Sequence, residues 1–351
     1  YFNRSGKWGD GGAYNDQSSP YYDWYKFTDW NNKKYQSWWD FDTLPVLNPR
    51  SSSLQEYFAG KKGIVAKWLR LGARGWRLDV VDEIADCMLD KIVYRAKNVK
   101  RDSVILGEVW EDASNKKDYG VRRRYFLGRQ LDSVMNYPMR TAILNFVATG
   151  NNSLFNSTVF MILNNYPKEV RDNLMNMLST HDTERALTFL GGKVSSDKNV
   201  MANLTMSNEE KKRALVLFRL ASVLQYTVFG FPCVFYGDEA EMQGGKDPFC
   251  RGCYPWGNEN TELLSFFKNL GGVRKEKVLY SGEFKLLGAP PNVVAFERTS
   301  SDETLQVMAN RGDDYEFYLP CNYVELISGE TYSGNCILRR DSAVILKRVT
   351  I

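Results

Sequence analysis

Three carboxylic acids in this chain of 351 residues stand at positions from which they could act together in catalysis. Asp79 follows the segment Gly75-Trp-Arg-Leu, Glu108 follows Ile105-Leu-Gly, and Asp182 ends Leu178-Ser-Thr-His-Asp. Carboxyl groups in different surroundings serve as nucleophile, general acid and electrostatic stabiliser without any metal. The sequence therefore points first to carboxylate chemistry.

The first motif, Gly75-Trp-Arg-Leu-Asp-Val-Val-Asp-Glu83, places Arg77 two residues before Asp79. If the segment is a strand, both side chains project from the same face. A guanidinium beside a carboxylate keeps it ionised and oriented, as an anionic nucleophile requires. Taken alone, the motif also fits a structural ion pair at the end of a strand.

The second motif, Ile105-Leu-Gly-Glu-Val-Trp110, carries one carboxylic acid, Glu108, after an apolar segment. Partly apolar surroundings raise the pKa of a carboxyl group, which suits a general acid near neutral pH. In the third motif, His181 precedes Asp182 at the end of another apolar segment. There Asp182 could support positive charge at a reacting carbon and His181 could donate a hydrogen bond, although a lone histidine is often structural.

Composition excludes several other classes of chemistry. Histidine occurs once, at His181, so a zinc site of the H-E-x-x-H type cannot exist. The sequence has no G-x-S-x-G, P-loop or G-x-G-x-x-G motif. A net charge of +4, from 46 basic and 42 acidic residues, gives no reason to expect nucleic acid or an anionic membrane as partner. No apolar run approaches the roughly 18 residues of a membrane span.

The six cysteines predict reduced, unbridged thiols rather than a structural zinc site. Cys250 and Cys253 have C-x-x-C spacing, but no second Cys or His pair accompanies them. Cys87 and Cys233 are expected to be small apolar fillers in a helix and a strand. Unpaired thiols favour a cytoplasmic location.

Short apolar segments alternate with helical patterns through the middle of the chain. The predicted strands are 75–81, 103–109, 133–137, 174–180 and 231–236, and the predicted helices are 84–98, 139–149, 155–172 and 209–229. This alternation predicts an α/β fold with parallel strands and helical crossovers. Polar residues follow the strands at their carboxyl ends, where a (β/α)8 TIM barrel builds its active site. Five strands do not close such a barrel, so we expect it from about its fourth strand onward.

The predicted organisation has three parts. Residues 1–50, rich in Gly, Asn, Asp, Tyr and Trp, form an irregular excursion of the kind that often carries function. Residues 51–277 form the second part of the barrel, with a possible helix cap in Ser51-Ser-Ser53. Residues 278–351 alternate apolar and polar positions between turns, which predicts a small antiparallel β-sandwich domain. The densest basic run, Arg122-Arg-Arg124, is expected on the solvated face of a helix.

In this order, the three motifs resemble the second, third and fourth sequence signatures of the α-amylase family of glycoside hydrolases. Leu44-Pro-Val-Leu-Asn48, Ser37-Trp-Trp-Asp-Phe41 and the segment 236–248 resemble further signatures of its neopullulanase and cyclomaltodextrinase branch. The resemblance covers about residues 1–277 and, more loosely, the C-terminal part.

The resemblance implies that Asp79 is the nucleophile, Glu108 the general acid/base and Asp182 the stabiliser of the transition state. Arg77 and His181 are implied to assist them. The implied reaction is hydrolysis of α-1,4-glucosidic bonds in maltodextrins, cyclodextrins or starch, with retention of configuration through a glycosyl-enzyme. For a retaining enzyme, the two reacting carboxyl groups should lie about 5–5.5 Å apart.

Roles in substrate binding are also implied by the resemblance. Asp247 and Arg251, of an Asp-Pro-x-x-Arg element, would hold a glucose on the non-reducing side. Trp110 would form a platform near the cleavage point, with plain packing as its alternative. Two other functions stay open: a transglycosylase on the same scaffold, or a non-catalytic sugar-binding fragment.

The sequence also departs from the family pattern. The first signature, Asp-x-x-x-Asn-His, has no counterpart, and Tyr-Phe-Asn, which typically follows it in that branch, stands at residues 1–3. We therefore expect an N-terminally truncated chain that forms a homodimer or associates with the missing N-terminal segment through its exposed sheet edges. Asp82 stands where the branch often has Asn, and Glu83 where many amylases have a calcium-binding His. No cofactor is expected to be required, no residue is assigned to a metal, and calcium is not supported by these residues.

Overall fold

The computed structural model describes residues 1–3, 11–193 and 195–349 of the chain. Its backbone contacts divide into two compact units. The first unit comprises Tyr1–Glu108 and Asn115–Asp132, and the second comprises Val109–Ser114 and Ser133–Ile351. The domain boundaries expected near residues 50 and 277 remain predictions.

The first unit contains short strands and helices of about two to four turns after a largely irregular N-terminal stretch. Its strands are β1 (Phe27–Asp29), β2 (Lys34–Tyr35), β3 (Gly75–Leu78), β4 (Val104–Gly107), β5 (Lys117–Asp118) and β6 (Val121–Arg122). Its α-helices are α1 (Ser52–Ala59), α2 (Ile64–Arg70) and α3 (Asp86–Val99), with 3-10 turns at Tyr22–Trp24, Trp38–Asp40 and Val81–Glu83. Ser51 caps α1 by accepting a hydrogen bond from the Leu54 N–H, which confirms the predicted cap.

Strands β3 and β4 form a parallel pair in which Gly75 lies opposite Val104 and Leu78 opposite Gly107. Helix α3 provides the crossover between them, because parallel neighbours cannot be joined by a tight hairpin. The apolar face of α3 is buried through Met88, Leu89, Ile92, Val93 and Ala96. The predicted strand–helix–strand pattern is therefore present here, with strands shorter than expected.

The second unit begins with strands and helices that alternate along the chain. Its first strands are β7 (Ser133–Val134), β8 (Met175–Asn176) and β9 (Phe231–Pro232), of which β8 and β9 pair in parallel. Its helices are α4 (Tyr137–Thr149), α5 (Ser153–Asn165), α6 (Lys168–Arg171), α7 (Ala186–Leu190), α8 (Lys198–Ala202), α9 (Asn208–Thr227), α10 (Thr261–Val273) and α11 (Val278–Ser281). In the described part of the chain, no helix has the length and apolarity needed to cross a bilayer.

The C-terminal part of the second unit is an antiparallel sheet. Its strands are β10 (Glu283–Leu286), β11 (Val293–Thr299), β12 (Thr304–Asn310), β13 (Tyr315–Glu325), β14 (Thr331–Leu338) and β15 (Ser342–Arg348). Among the described residues they pair in the order β10-β11-β12-β15-β13-β14. One face buries an apolar cluster that includes Val293, Met308, Leu319 and Leu346. The predicted antiparallel sheet is confirmed, and its arrangement as a sandwich remains a prediction.

Buried polar side chains attach this sheet to the preceding helices. Arg298 on β11 is fully buried and donates to the carbonyl oxygens of Thr227, at 3.2 Å, and Gly282, at 3.1 Å. Thr227 ends α9, so the guanidinium lies where helix carbonyls lack partners and the helix dipole is negative. Burial lowers the pKa of Arg298 to about 10. Asn152, before α5, donates to the Val293 carbonyl oxygen at 2.7 Å.

Two expectations about individual side chains are wrong. Arg122 ends strand β6 rather than lying in a helix, and Arg123 is buried rather than solvated. Arg123 is buried because its guanidinium meets backbone carbonyl groups, which a pattern of charged side chains does not reveal. Cys87 lies in α3 as predicted, but it is exposed and fills no apolar gap. All six cysteines are free, as predicted.

Candidate active site

Asp79 and Glu108 are the first residues beyond two paired parallel strands. Leu78 of β3 lies opposite Gly107 of β4, so the next residue on each strand carries a carboxylate at the same level. The Glu108 N–H donates to the Leu78 carbonyl oxygen at 3.0 Å and extends the ladder by one bond. Because neighbouring strands lie about 4.8 Å apart, this register brings the two predicted catalytic carboxylates side by side.

A single arginine contacts both carboxylates. One guanidinium nitrogen of Arg77 is hydrogen-bonded to Asp79 Oδ1, and the other lies 3.3 Å from Glu108 Oε2. The positive charge between them offsets the repulsion that two neighbouring carboxylates would otherwise experience. The Asp79 side chain is 72% exposed and that of Glu108 is 5% exposed. One carboxylate is thus accessible to a substrate, and the other is held in a buried position.

The residue between Asp79 and the following turn has a conformation that valine rarely adopts. Val80 has φ 41° and ψ 54°, which is the left-handed region. A β-branched residue there costs on the order of 1–3 kcal/mol, because its Cβ crowds the backbone carbonyl. In this conformation the Val80 N–H donates to Glu108 Oε2 at 2.8 Å. A strained peptide group therefore supplies one of the hydrogen bonds that hold the Glu108 carboxylate.

The carboxylates of Asp82 and Glu83 are engaged by donors from the segment 116–125, which contains the β5–β6 hairpin. Asp82 accepts a hydrogen bond from the Tyr125 hydroxyl at 2.5 Å and pairs with the Lys116 ammonium at 3.1 Å. Glu83 accepts from the Tyr119 hydroxyl at 3.1 Å. The Lys116 ammonium group beside the Asp82 carboxylate disfavours binding of a divalent cation there, since like charges repel. In the described ranges, no group of three or more His, Cys, Asp or Glu side chains is arranged to hold a metal. The expectation that these residues do not support calcium remains a prediction.

A second group of charged side chains lies in the second unit, beyond the end of β8. His181 Nε2 lies 3.1 Å from Asp182 Oδ2. Arg251 reaches Asp182 Oδ1 at 3.7 Å and Asp247 Oδ1 at 2.7 Å, and its Nε donates to the His181 carbonyl oxygen at 3.0 Å. The structure thus brings together four predicted residues from two motifs that are well separated in the sequence.

Arg185, a residue outside the predicted set, links the two motifs of this second group. Its guanidinium is fully buried and donates to Asp238 Oδ1 at 2.9 Å, the Tyr236 carbonyl at 2.9 Å and the Cys250 carbonyl at 3.0 Å. Burial raises the pKa of Asp238 to about 6. Because Cys250 directly precedes Arg251, these bonds fix the loop that carries Arg251. The sequence signal was a charged residue just before the apolar helix α7.

Trp110 also belongs to the second unit, where it stacks on Tyr137. The two ring centroids are 3.9 Å apart and the ring planes differ by 13°. Trp110 is 47% exposed. Trp110 thus packs on Tyr137, as the alternative to a platform near the cleavage point expects. Part of the ring is exposed, and its role as a platform for the sugar remains a proposal.

Comparison with known proteins decides the family. The family described as alpha amylase, catalytic domain, matches residues 1–314. The chain belongs to the alpha-amylase family. The predicted fold class is therefore confirmed at the level of an alpha-amylase catalytic domain with an antiparallel sheet near the C-terminus. The portion of the barrel that this family member contains remains a prediction.

Three relatives illustrate the range of similarity for this alpha-amylase family chain. An amylopullulanase of Thermoanaerobacter thermohydrosulfuricus is 32% identical over 95% of the chain and 25% of its own length. A cyclomaltodextrinase of Geobacillus thermopakistaniensis is 31% identical over 91% of the chain and 52% of its own length. The solved type III pullulan hydrolase of Thermococcus kodakarensis has a TM-score of 0.78 and 28% identity, covering 95% of this chain and 56% of that one. The chain thus spans between a quarter and about half of these relatives.

Proposed function

We propose that this chain hydrolyses α-1,4-glucosidic bonds of maltodextrins, cyclodextrins or starch with retention of configuration. The proposal depends above all on one observation: Arg77 contacts both Asp79 and Glu108 at the ends of two neighbouring parallel strands. Retaining glycosidases need carboxyl groups about 5–5.5 Å apart, which adjacent strands in register can supply. The names of the relatives, which include an amylopullulanase, a cyclomaltodextrinase and a pullulan hydrolase, support α-glucans as the substrate class.

The proposed reaction has two displacements at the same anomeric carbon. In the first, Asp79 attacks this carbon while Glu108 transfers its proton to the leaving glycosidic oxygen, which departs as a sugar hydroxyl. In the second, Glu108 takes a proton from water, whose oxygen attacks the same carbon and releases the Asp79 carboxylate. Two inversions restore the original configuration. The Val80 N–H fixes the Glu108 carboxylate for both proton transfers.

The second charged group is proposed to act on the substrate as well. Asp182, with His181 beside it, would stabilise positive charge that develops at the anomeric carbon. Asp247 and Arg251 would hold a glucose unit, and Trp110 would present part of its ring to the sugar. These assignments rest on the family resemblance and are supported by the hydrogen-bonded arrangement of the four charged residues in the second unit.

The anomeric form of the first product tests the retaining mechanism. Hydrolysis of a linear maltodextrin is expected to release reducing ends in the α form, which proton NMR distinguishes from the β form before mutarotation. A cyclodextrin assayed in parallel, by release of reducing sugar, compares cyclic with linear substrates. Initial release of the β form would contradict the proposal.

The same assay separates two alternative functions. A transglycosylase would convert the maltodextrin mainly into longer or rearranged oligosaccharides with little new reducing sugar. A non-catalytic sugar-binding chain would bind maltodextrin in calorimetry without releasing any product. The carboxylate pair joined by Arg77 favours catalysis over binding alone.

Removal of divalent metal is expected to leave the proposed activity unchanged. The proposal assigns no step to a cofactor, and Asp82 and Glu83 are already engaged by Lys116, Tyr125 and Tyr119. We expect kcat and Tm after dialysis against a chelator to match those of the untreated protein. Loss of activity that added calcium restores would contradict this expectation.

The cellular location and the partners of the chain also remain predictions. Six free cysteines are typical of a reducing compartment, which favours the cytoplasm. We further propose a homodimer or an association with a separate segment, and an α-glucan rather than nucleic acid as the bound polymer. Light scattering of the chain, with and without maltodextrin, measures its oligomeric state.

A further inference from the structure

We propose that Arg123 is a positioning residue for the reacting carboxylates: it sustains the left-handed conformation of Val80, and so holds the peptide group that joins Asp79 to Glu108. This inference rests on the proposed function only for the roles of Asp79 and Glu108. The contacts that carry it lie entirely within the first unit.

The Arg123 side chain is hydrogen-bonded to the backbone of the turn that follows Val80. Its guanidinium donates to the carbonyl oxygens of Ile84 at 2.6 Å, Asp82 at 3.1 Å and Val81 at 3.4 Å. The residue is 9% exposed. A planar guanidinium with several donors can hold three carbonyl groups in one arrangement, which a single ammonium cannot. The bonds therefore restrict the backbone itself rather than a flexible side chain.

The hairpin presents Arg123 to the turn in a fixed register. The Arg123 N–H donates to the Lys116 carbonyl oxygen at 2.8 Å across the β5–β6 hairpin. Lys116 and Tyr125 hold the Asp82 side chain, at 3.1 Å and 2.5 Å. Burial raises the pKa of the Tyr125 hydroxyl, which stays a hydrogen-bond donor to Asp82 throughout the neutral range. The turn is thus held at its backbone by one residue and at a side chain by two others.

Val80 connects this turn to the carboxylates of Asp79 and Glu108. It directly follows Asp79, its carbonyl oxygen accepts from the Glu83 N–H at 2.9 Å, and its own N–H donates to Glu108 Oε2 at 2.8 Å. A valine at φ 41° returns to an extended or right-handed conformation unless the surrounding structure prevents it. Without the bonds from Arg123, the turn is free to relax. Val80 then rotates its N–H away from Glu108 and turns Asp79 from its place.

The primary test compares Arg123→Gln with Arg122→Gln, a change to an exposed arginine on the same hairpin. For Arg123→Gln we expect kcat on maltodextrin to fall roughly 10²-fold, as a displacement of about 1 Å at reacting groups produces. KM is expected to change by less than about twofold, because the buried guanidinium contacts the backbone of the turn and not the sugar. Arg122→Gln should match the wild type. Arg123→Lys keeps the positive charge with fewer hydrogen-bond donors, so its kcat should lie between those of Arg123→Gln and Arg122→Gln. It provides a second variant in case Arg123→Gln does not fold.

Replacement of Val80 distinguishes positioning from general stabilisation. Glycine adopts the left-handed conformation without strain, so Val80→Gly combined with Arg123→Gln is expected to recover kcat by at least about fivefold relative to Arg123→Gln alone. Val80→Ala, which retains a Cβ, should recover less. If the double variant recovers nothing, Arg123 only stabilises the fold and the proposal is wrong.

Hydrogen exchange provides a readout that does not require catalysis. The Glu83 and Ile84 N–H groups close the turn, at 2.9 Å and 3.1 Å from their acceptors, so their exchange reports its integrity. We expect mass spectrometry to show faster exchange in peptide 80–86 of Arg123→Gln and a return toward wild-type exchange in the Val80→Gly double variant. Unchanged exchange in this peptide, or faster exchange throughout the chain, would overturn the proposal. A wild-type chain without hydrolase activity would refute the proposed function and leave this exchange comparison to decide the role of Arg123.

Discussion

Replacing Asp79 by asparagine is expected to lower kcat on maltodextrin by at least about 10⁴-fold, because an amide cannot form the glycosyl-enzyme. The change is nearly isosteric, and the Asp79 side chain is 72% exposed, so the fold should be retained. Circular dichroism and release of reducing sugar measure the two effects. Asp90→Asn, which alters a carboxylate on α3 paired with Arg124 at 3.0 Å, is the matched control and should remain active.

A smaller substitution gives the assignment of Asp79 a stereochemical test. Asp79→Gly leaves space at the face of the sugar that Asp79 would attack. Azide entering this space should displace the leaving group of an activated α-glucoside and yield the β-glucosyl azide, with inverted configuration. An α-glucosyl azide, or more than a few per cent of wild-type activity in Asp79→Asn, would assign the nucleophile to another residue.

Replacing Glu108 by glutamine is expected to reduce hydrolysis of maltodextrin by roughly 10²- to 10⁴-fold, the usual contribution of a general acid. Glutamine preserves the shape of this 5% exposed side chain and an oxygen that can accept from the Val80 N–H. The rate at which an aryl α-glucoside forms the glycosyl-enzyme should fall much less, because a phenolate ion leaves without needing a proton. Glu111→Gln, at an exposed position nearby in the chain, is the control.

The role of Glu108 is tested by comparing the activity that Glu108→Gln loses on substrates with different leaving groups. Equal losses of kcat/KM, which reports formation of the glycosyl-enzyme, for maltodextrin and for a nitrophenyl α-glucoside would mean that Glu108 does not protonate the leaving oxygen. Azide added to Glu108→Gln should yield the α-glucosyl azide, since Asp79 still forms the intermediate and azide then attacks it. Opposite products from the Asp79 and Glu108 variants would establish two different roles for two neighbouring carboxylates.

The sequence was a good guide to elements whose side chains repeat regularly. The helix expected at 209–229 is Asn208–Thr227, and its start is fixed by a capping box between Ser207 and Glu210. The strands expected at 75–81 and 103–109 are Gly75–Leu78 and Val104–Gly107, which pair in parallel. Ile105, Leu106 and Gly107 of β4 are buried, and Leu78 ends β3 as its buried residue. The end of each apolar run was therefore visible in the sequence, and the carboxylates that follow could be placed at the strand ends.

The features that the sequence did not reveal depend on backbone groups. No glycine marks the left-handed position of Val80, and valine normally avoids that conformation, so only the tertiary contacts of the turn account for it. The partners of Arg123 are carbonyl oxygens, which leave no trace in a pattern of charges. Arg185 was missed for the same reason, since two of its acceptors are the carbonyl groups of Tyr236 and Cys250.

The attachment of the C-terminal sheet has a consequence for modular exchange between relatives. A chimaera joined near residue 277 would separate Arg298 from the end of α9, and Asn152 from Val293. A donor sheet without an equivalent arginine would leave the Thr227 carbonyl group without this hydrogen bond. Loss of a hydrogen bond to a buried carbonyl group destabilises the chimaera. Helices α5 and α9 and the sheet are therefore expected to be inherited as one piece, even though the sheet has the outward form of a separate module.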